Sequence, residues 1–379
     1  MAGYSQTNQE NGEGIMISCS VGTVTEIIGH RKGLTRVIVS FAQGQGKAIN
    51  YDFLTGVIQV GDRVQVNTTA VDLGLGTGGW HFVMVNMTRP ELRLKGPGHI
   101  MKLRYTPMQI KVLSVEEEDS PARLLIEQGG DIKTVPVVVG TLHSMLPYIV
   151  SGIIQNKPNL RISYIMTDGA ALPLYLSEIV FLLKEAGFLC GTITIGHAFG
   201  GDLEAVNIFS GLLAARHIQK ADVIVVCMGP GIVGTGIPWG TTALEQGQIL
   251  NAVHSLGGIP VGVPRISFAD SRKRHYGLSH QTITVLKYVV LIPVNIVFPL
   301  LKNEDQMNYI KYQLINSGIN EKHLFHQVDG WPGLSHCVEH GLGATTMGRS
   351  VNEDEAFFLA ASAAGNAAAN FVTSDGFQR

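Results

Sequence analysis

From Ile15 to about Tyr105 apolar and polar positions alternate in short runs broken by glycine: VGTVTEII, TRVIVSF, KAINYDF, GDRVQVNTTAV and HFVMVNM. Period-two runs separated by glycine turns such as LGLGTGG at Leu73–Gly79 predict the strands of a small antiparallel barrel or sandwich. A charged turn, EEEDSP, then suggests a hairpin between strands near Gln109–Glu116 and Ala122–Glu127. From Thr134 the period changes. Buried runs (TVPVVVG, LRISYIM, LCGTITIG, ADVIVVC, IPVGVP and VVLIPVNIVF) alternate with helical segments. That alternation predicts an α/β fold: a mostly parallel, three-layer, Rossmann-like sheet covered on both faces, preceded by a smaller all-β barrel domain. The expected division is a disordered tail over residues 1–14, the barrel over 15–105 and the α/β domain with glycine-rich loops over 106–379. A last, alanine-rich helix near Glu353–Phe371 has small residues over much of its surface. Such a helix can pack closely on a sheet or on a second copy, which raises the expectation of a homodimer.

The 379-residue length fits about two domains and a large core. A net charge of -2 gives no global field toward nucleic acid or an anionic membrane. Cys19, Cys190, Cys227 and Cys337 lack any CxxC spacing and read as reduced thiols, neither a disulfide framework nor a zinc site. The opening MAGYSQTNQENGEG has no apolar core of a secretory signal. The most apolar later run, Leu286–Leu301, is interrupted by Lys287, Asn295 and two prolines, short of the roughly 18 uninterrupted residues a spanning helix needs. A cytoplasmic location without a membrane partner is the expectation. Arg89, Arg93, Lys95, Lys102 and Arg104 gather beside Tyr105, but without aromatic interleaving or a basic chain overall they argue against nucleic acid as a partner.

In an open parallel sheet, ligands collect beyond the carboxyl ends of the strands. Four loops stand out there. In Thr167–Gly169, Asp168 can take a proton, a metal or a ribose hydroxyl, or simply make a turn. In GTITIGHAFGGDLEAVN, Asp202 is placed to cap a helix from Leu203, with Glu204 in its first turn. The approach to it carries Gly196, His197, Gly200 and Gly201, where glycines admit close N–H approach to a ligand and histidine shuttles protons near neutrality. In MGPGIVGTGIPWG, Gly229, Gly231 and Gly234 match GxGxxG, but Pro230 and Pro238 interrupt it and the next strand ends without an acidic residue. A dinucleotide site is disfavoured, while phosphate or carboxylate binding stays open. Around Asp270 gather Arg265, Arg272, Lys273, Arg274, His275 and His280, suited to gripping an anion or, as a charge run, to facing solvent. GLSH occurs at Gly277–His280 and Gly333–His336, each serine a helix-cap candidate. No spacing specifies a metal or a cofactor.

The segments YIMTDGAALPL, GTITIGHAFGGDLEAVNIFSGLLAARH, ADVIVVCMGPGIVGTGIPWG and GIPVGVPRISFADSRKRHYGLSHQT, with LGLGTGGWHFV before them, resemble the bacterial domain-of-unknown-function family 3866 over nearly the whole chain. The resemblance implies two domains and a bacterial cytoplasmic protein, and brings no established activity with it. From local chemistry, the expected function is a hydrolase or transferase acting on a small phosphorylated or carboxylated metabolite. His197 would be the general acid or base, oriented by Asp202 or Asp168; Gly200, Gly201, Gly229, Gly231, Gly234, Arg265, Arg272, Arg274 and His280 would bind the anion. The alternative is a non-catalytic ligand-binding or scaffold protein whose barrel engages a partner. Both require that the turns around residues 168, 197, 231 and 272 share one rim of the sheet.

Overall fold

The computed structural model describes residues 14–372, so the tail expected over 1–14 lies outside the described residues except for Gly14. Two compact units part between Gly96 and Pro97. In the first, β1 (Cys19–Arg31), β2 (Leu34–Phe41), β3 (Gly44–Tyr51), β4 (Arg63–Asn67) and β5 (Trp80–Asn86) close into a barrel of order β1-β2-β3-β5-β4. The pair β3/β5 is parallel, and a short helix α1 (Asp52–Thr55) joins β3 to β4. This is the arrangement of five-stranded OB-type barrels. Alternation fills it as the sequence pattern requires: Val37, Val39, Ala48, Val64, Val66 and Val83 point inward and form its core, β-branched residues suiting the crowded interior face. A further short helix, α2 (Thr69–Asp72), precedes the glycine turn before β5.

The second unit opens with β6 (Ile100–Lys102), β7 (Ile110–Val112) and α3 (Arg123–Gly129). The hairpin expected over 109–127 is thereby corrected: Ile110–Val112 pairs back with Ile100–Lys102, and RLLIEQG is helical. Its Arg, Leu, Glu and Gln are strong helix formers with no period-two pattern behind them. Next come β8 (Pro136–Val139), α4 (Leu146–Asn156), β9 (Ile162–Thr167), α5 (Glu178–Glu185), β10 (Gly191–Thr194), β11 (Leu203–Glu204), α6 (Ile208–His217) and β12 (Val223–Met228). After these follow α7 (Glu245–Ser255), β13 (Ile259–Gly262), the small ribbon β14 (Ile266–Ser267) with β15 (Gly277–Leu278), and α8 (His280–Thr284). The chain ends through β16 (Asn295–Pro299), α9 (Glu304–Ser317), β17 (Leu324–Val328), α10 (Trp331–Glu339) and α11 (Glu355–Phe371).

Eight of these strands form one sheet of order β11-β10-β9-β12-β8-β13-β16-β17, parallel at every pairing. Apolar layers lie on both sides of it. Met145, Tyr148 and Ile149 of the α4 region pack with α11 on one face, and Ile249, Leu250 and Val253 of α7 pack on the other. The connection from β8 runs toward β9 through α4, whereas that from β12 runs the opposite way to β13 through α7. Connections that diverge to opposite faces leave a crevice between their loops, the switch point where ligands of such sheets sit.

Two capping expectations are corrected. Leu203–Glu204 joins the sheet edge as β11, so Asp202 caps no helix; α6 starts later, where Asn207 accepts from the amides of Phe209 and Ser210 in a capping box. Ser279 caps α8 by accepting from the Gln281 amide, but Ser335 of the second GLSH lies inside α10. The alanine-rich α11 is buried within its own chain: a Cβ at Gly365 would stand 2.0 Å from the Ile149 carbonyl, and one at Gly152 of α4 would stand 2.2 Å from that of Ser362. Its small residues serve this helix-on-helix approach, and the stripe that suggested a homodimer is an internal surface.

Candidate active site

The loops singled out in the sequence follow β9, β10, β12 and β13 at the carboxyl edge, and several touch. Asp168 accepts from the His197 amide (2.8 Å), Ala171 donates to the Pro230 carbonyl (3.1 Å), and the Arg274 guanidinium lies against Gly236. The glycines are explained by these approaches. A Cβ at Gly196 would stand 2.2 Å from the Asp168 carboxylate, one at Gly229 2.3 Å from the Ala171 carbonyl, and one at Gly200 2.7 Å from the Tyr175 ring. The amides of Gly200 and Gly201 are used internally, donating to Glu204 (2.7 Å) and Thr194 Oγ1 (3.0 Å). They are therefore not donors to a ligand as expected. Gly234 stands against Gln281, while Gly231, at φ +110°, has open space around it.

His197 and Asp202 are not brought together as a proton-transfer pair. Asp202 is bonded by Lys184 and by both the amide and the hydroxyl of Thr192. Burial works to raise its carboxyl, but those bonds outweigh it and hold it below the usual range. The His197 ring accepts the Leu103 amide on Nδ1 at 3.0 Å, and its Nε2 lies 3.3 Å from the Arg104 guanidinium. Asp168 touches the backbone of His197 and not its imidazole.

Glu204 belongs to a buried ion pair with Lys102, whose side chain is fully enclosed. The ammonium bonds Glu204 at 3.0 Å and the Ala198 carbonyl at 2.8 Å, and lies 3.3 Å from the carbonyls of Thr194 and Ala205. Thr194 Oγ1 completes the carboxylate at 2.6 Å. Burial lowers the Lys102 pKa and raises that of Glu204, each opposed by the partner charge. With every polar atom engaged and water excluded, the pair clamps the loop and does no chemistry of its own.

The arginine turn divides in two. Asp270 is chelated by Arg272 through Nε (2.9 Å) and Nη2 (2.8 Å), with Arg265 and Arg349 at 3.7 and 3.6 Å. Hydrogen bonds from Arg272 take its carboxyl far below the usual range. Arg265 and Arg272, expected to neutralise a ligand, thus already share a carboxylate of the fold. Arg265 is buried, holds Gln281 through Nη1, and its Nη2 makes no hydrogen bond. His280 has a buried Nε2 without a partner and packs against the His275 ring at 5.0 Å. Burial, then Arg274 nearby, lowers the His280 pKa. Arg274 and the unpartnered ring nitrogen of His280 therefore make a corner deficient in acceptors, backed by Arg265, whose Nη2 faces Asp270 at 3.7 Å.

The switch-point crevice holds groups that the sequence reading passed over. Glu245, at the start of α7, takes the Thr167 hydroxyl at 2.7 Å and reaches over Gly169. Burial raises its pKa, and the Asp168 charge raises it further. Deeper, His143 bonds Ser177 Oγ through Nε2 at 2.6 Å and lies 3.2 Å from the Met228 carbonyl through Nδ1. That carbonyl can only accept, so Nδ1 carries the proton and Nε2 receives the serine hydroxyl. Burial takes the His143 pKa down to about 4. Ser177 also caps α5, and both residues are buried, so this pair ties α5 to the sheet. Glu245 had one sequence signal, a carboxylate at a helix start following a glycine loop; helix-dipole compensation accounts for the same signal.

A family model described as a protein of unknown function, DUF3866, matches residues 47–365. The chain belongs to this family. The match spans the whole carboxyl edge and enters the barrel at β3, so family membership includes the crevice residues Asp168 and Glu245. No curated protein matches the chain. Among the described residues, no cluster of three or more His, Cys, Asp or Glu could hold a metal ion, and no helix is long and apolar enough to cross a membrane.

Proposed function

We propose that the carboxyl edge of the sheet is the active site of a hydrolase or group-transfer enzyme acting on a small phosphorylated or carboxylated compound. The observation that carries this reading is the carboxylate pair at the switch point. Glu245 is driven toward its protonated form by burial, against the Thr167 hydrogen bond and with the help of the Asp168 charge, and a carboxyl raised in this way is better suited to give up a proton and take it back. Asp168 stays hydrogen-bonded to the His197 amide, so the two carboxyls occupy different environments. The anionic end of the substrate would meet Arg274 and His280, and the open backbone at Gly231 is a further candidate donor. In this assignment Glu245 replaces His197 as the proton-transfer group, Asp202 is structural, and Gly200, Gly201, Arg265 and Arg272 leave the ligand-binding set.

Thermal-shift titrations with orthophosphate, pyrophosphate and citrate test the anion corner. Stabilisation by at least one of them, lost in Arg274→Ala and His280→Ala, is expected; shifts unchanged in both variants place the anion elsewhere and defeat the assignment. Turnover of p-nitrophenyl phosphate and p-nitrophenyl acetate then tests the chemistry. Glu245→Gln should lower the rate by about a hundredfold or more. Anion binding without turnover of any ester would favour a ligand-binding protein.

A further inference from the structure

The loop between β12 and α7 is held by its own bonds. The Thr242 amide donates to the Val233 carbonyl (3.0 Å), the Thr235 amide to that of Gly240 (2.8 Å), and Gly234 and Thr241 pair as an antiparallel bridge. Gln281 of α8 fastens the base: it donates to Thr241 Oγ1 at 2.9 Å, and a Cβ at Gly234 would stand 2.6 Å from its amide nitrogen. Backbone and threonine bonds close the loop, so its large apolar side chains are not spent on packing it. Ile237 and Trp239 are each more than half exposed, as is Tyr288 from the turn that follows α8. The Trp239 and Tyr288 rings meet at 5.6 Å, and the Lys287 ammonium lies 5.4 Å from the Tyr288 ring centre.

Single apolar side chains on a surface need no explanation, but these stand beside the anion corner. Gly236, at φ +91°, lies against Arg274: a Cβ there would stand 3.6 Å from the guanidinium carbon. Ile237 is the next residue and Trp239 the third, and three residues span at most about 10 Å. An exposed cation and an apolar patch are thus within reach of one small molecule. A second copy of the chain is the poorer occupant, since three partly exposed side chains fall well short of the roughly 800 Å² per partner of a stable interface. A wholly polar metabolite would gain nothing from Ile237 or Trp239. We propose that the substrate is an amphiphile, its phosphate or carboxylate held at Arg274 and His280 and an apolar group of the same molecule resting on Ile237, Trp239 and Tyr288. This names the substrate class of the site described above and rests on the reading of Arg274 and His280 as the anion corner.

Calorimetric titration of the full chain with methyl-, hexyl- and phenylphosphonate, whose C–P bond resists hydrolysis, tests both levels separately. A fully buried methylene is worth about fourfold in affinity, so the hexyl compound, with five more of them partly buried, should bind at least about tenfold tighter than the methyl one. The phenyl compound distinguishes a ring from a chain as the apolar group. Trp239→Ala should cut these ratios about threefold or more, whereas Arg274→Ala should weaken all three ligands and keep the ratios. If methylphosphonate does not bind, or binds regardless of Arg274, the anion corner falls and the inference with it. If it binds through Arg274 but neither larger compound binds tighter, only the amphiphile is rejected. Ratios untouched by Trp239→Ala, or a dimer in sedimentation that this variant abolishes, also overturn it. Where the melting curve of Trp239→Ala departs from wild type, Ile237→Ser on the same exposed loop decides, and unchanged ratios there reject the assignment.

Discussion

At the scale of single residues, the half-buried carboxyl of Glu245 offers the clearest measurement. Its folded pKa is raised, first by burial and then by Asp168, so the folded chain holds this proton more tightly than the unfolded chain does. The resulting stabilisation is complete below the ordinary value of 4.5 and is lost as pH rises through the elevated one. Glu245→Gln keeps an oxygen for the Thr167 hydroxyl and cannot ionise. Urea denaturation from pH 4 to 8 should show the variant gaining on wild type as pH increases, with the two converging at the acid end. Parallel curves across the range would mean that Glu245 ionises freely and has no place as a proton donor. The His143–Ser177 pair shows the contrasting case, in which a short hydrogen bond to a histidine is read as architecture because both partners are buried and the serine already caps a helix.

Among the elements, the glycine loop between β10 and α6 depends on the ion pair behind it. Lys102 reaches it from β6, some ninety residues earlier in the chain, and meets Glu204 on β11 together with three carbonyls of the loop and its flanks. Removing one partner of a fully buried pair leaves an uncompensated charge and costs about 3–5 kcal/mol. Lys102→Met should therefore lower the denaturation midpoint steeply, and adding Glu204→Gln should restore part of the loss. Independent, additive effects in the double variant would show that the two groups are not coupled. The crossing of α4 and α11 works by exclusion instead: Gly152 and Gly365 let two backbones meet where any side chain would collide, consuming a face that sequence alone offered equally to a partner subunit.

For the whole molecule, two units with separate cores imply separate cooperativity. Val37, Val39, Val64 and Val66 form the barrel's core, while two larger clusters flank the eight-stranded sheet. Scanning calorimetry should resolve more than one transition, and Val39→Ala should lower only one of them. A single transition displaced as a whole by that variant would contradict independent folding. The candidate site of the larger unit arises from the same large-scale feature that orders its strands. With the sheet parallel throughout, each loop after a strand emerges on one edge, and the switch between β8 and β12 opens a crevice there.

The periodicity of the chain determined much of this. Period-two runs specified the barrel, and buried runs alternating with helices specified the parallel sheet, because each pattern can bury its apolar side in only one kind of layer. It also located the loops at residues 168, 197, 231 and 272, since strand direction alone puts them on one edge. What those loops contain was decided by tertiary structure. Local spacing cannot show that Lys102 would meet Glu204, that Asp270 would be surrounded by Arg265, Arg272 and Arg349, or that Trp239 would meet Tyr288. A side chain's ionisation and availability depend on partners distant in sequence and on the water they exclude, so the same arginine or carboxylate can be a ligand grip or an internal tie until its neighbours are known.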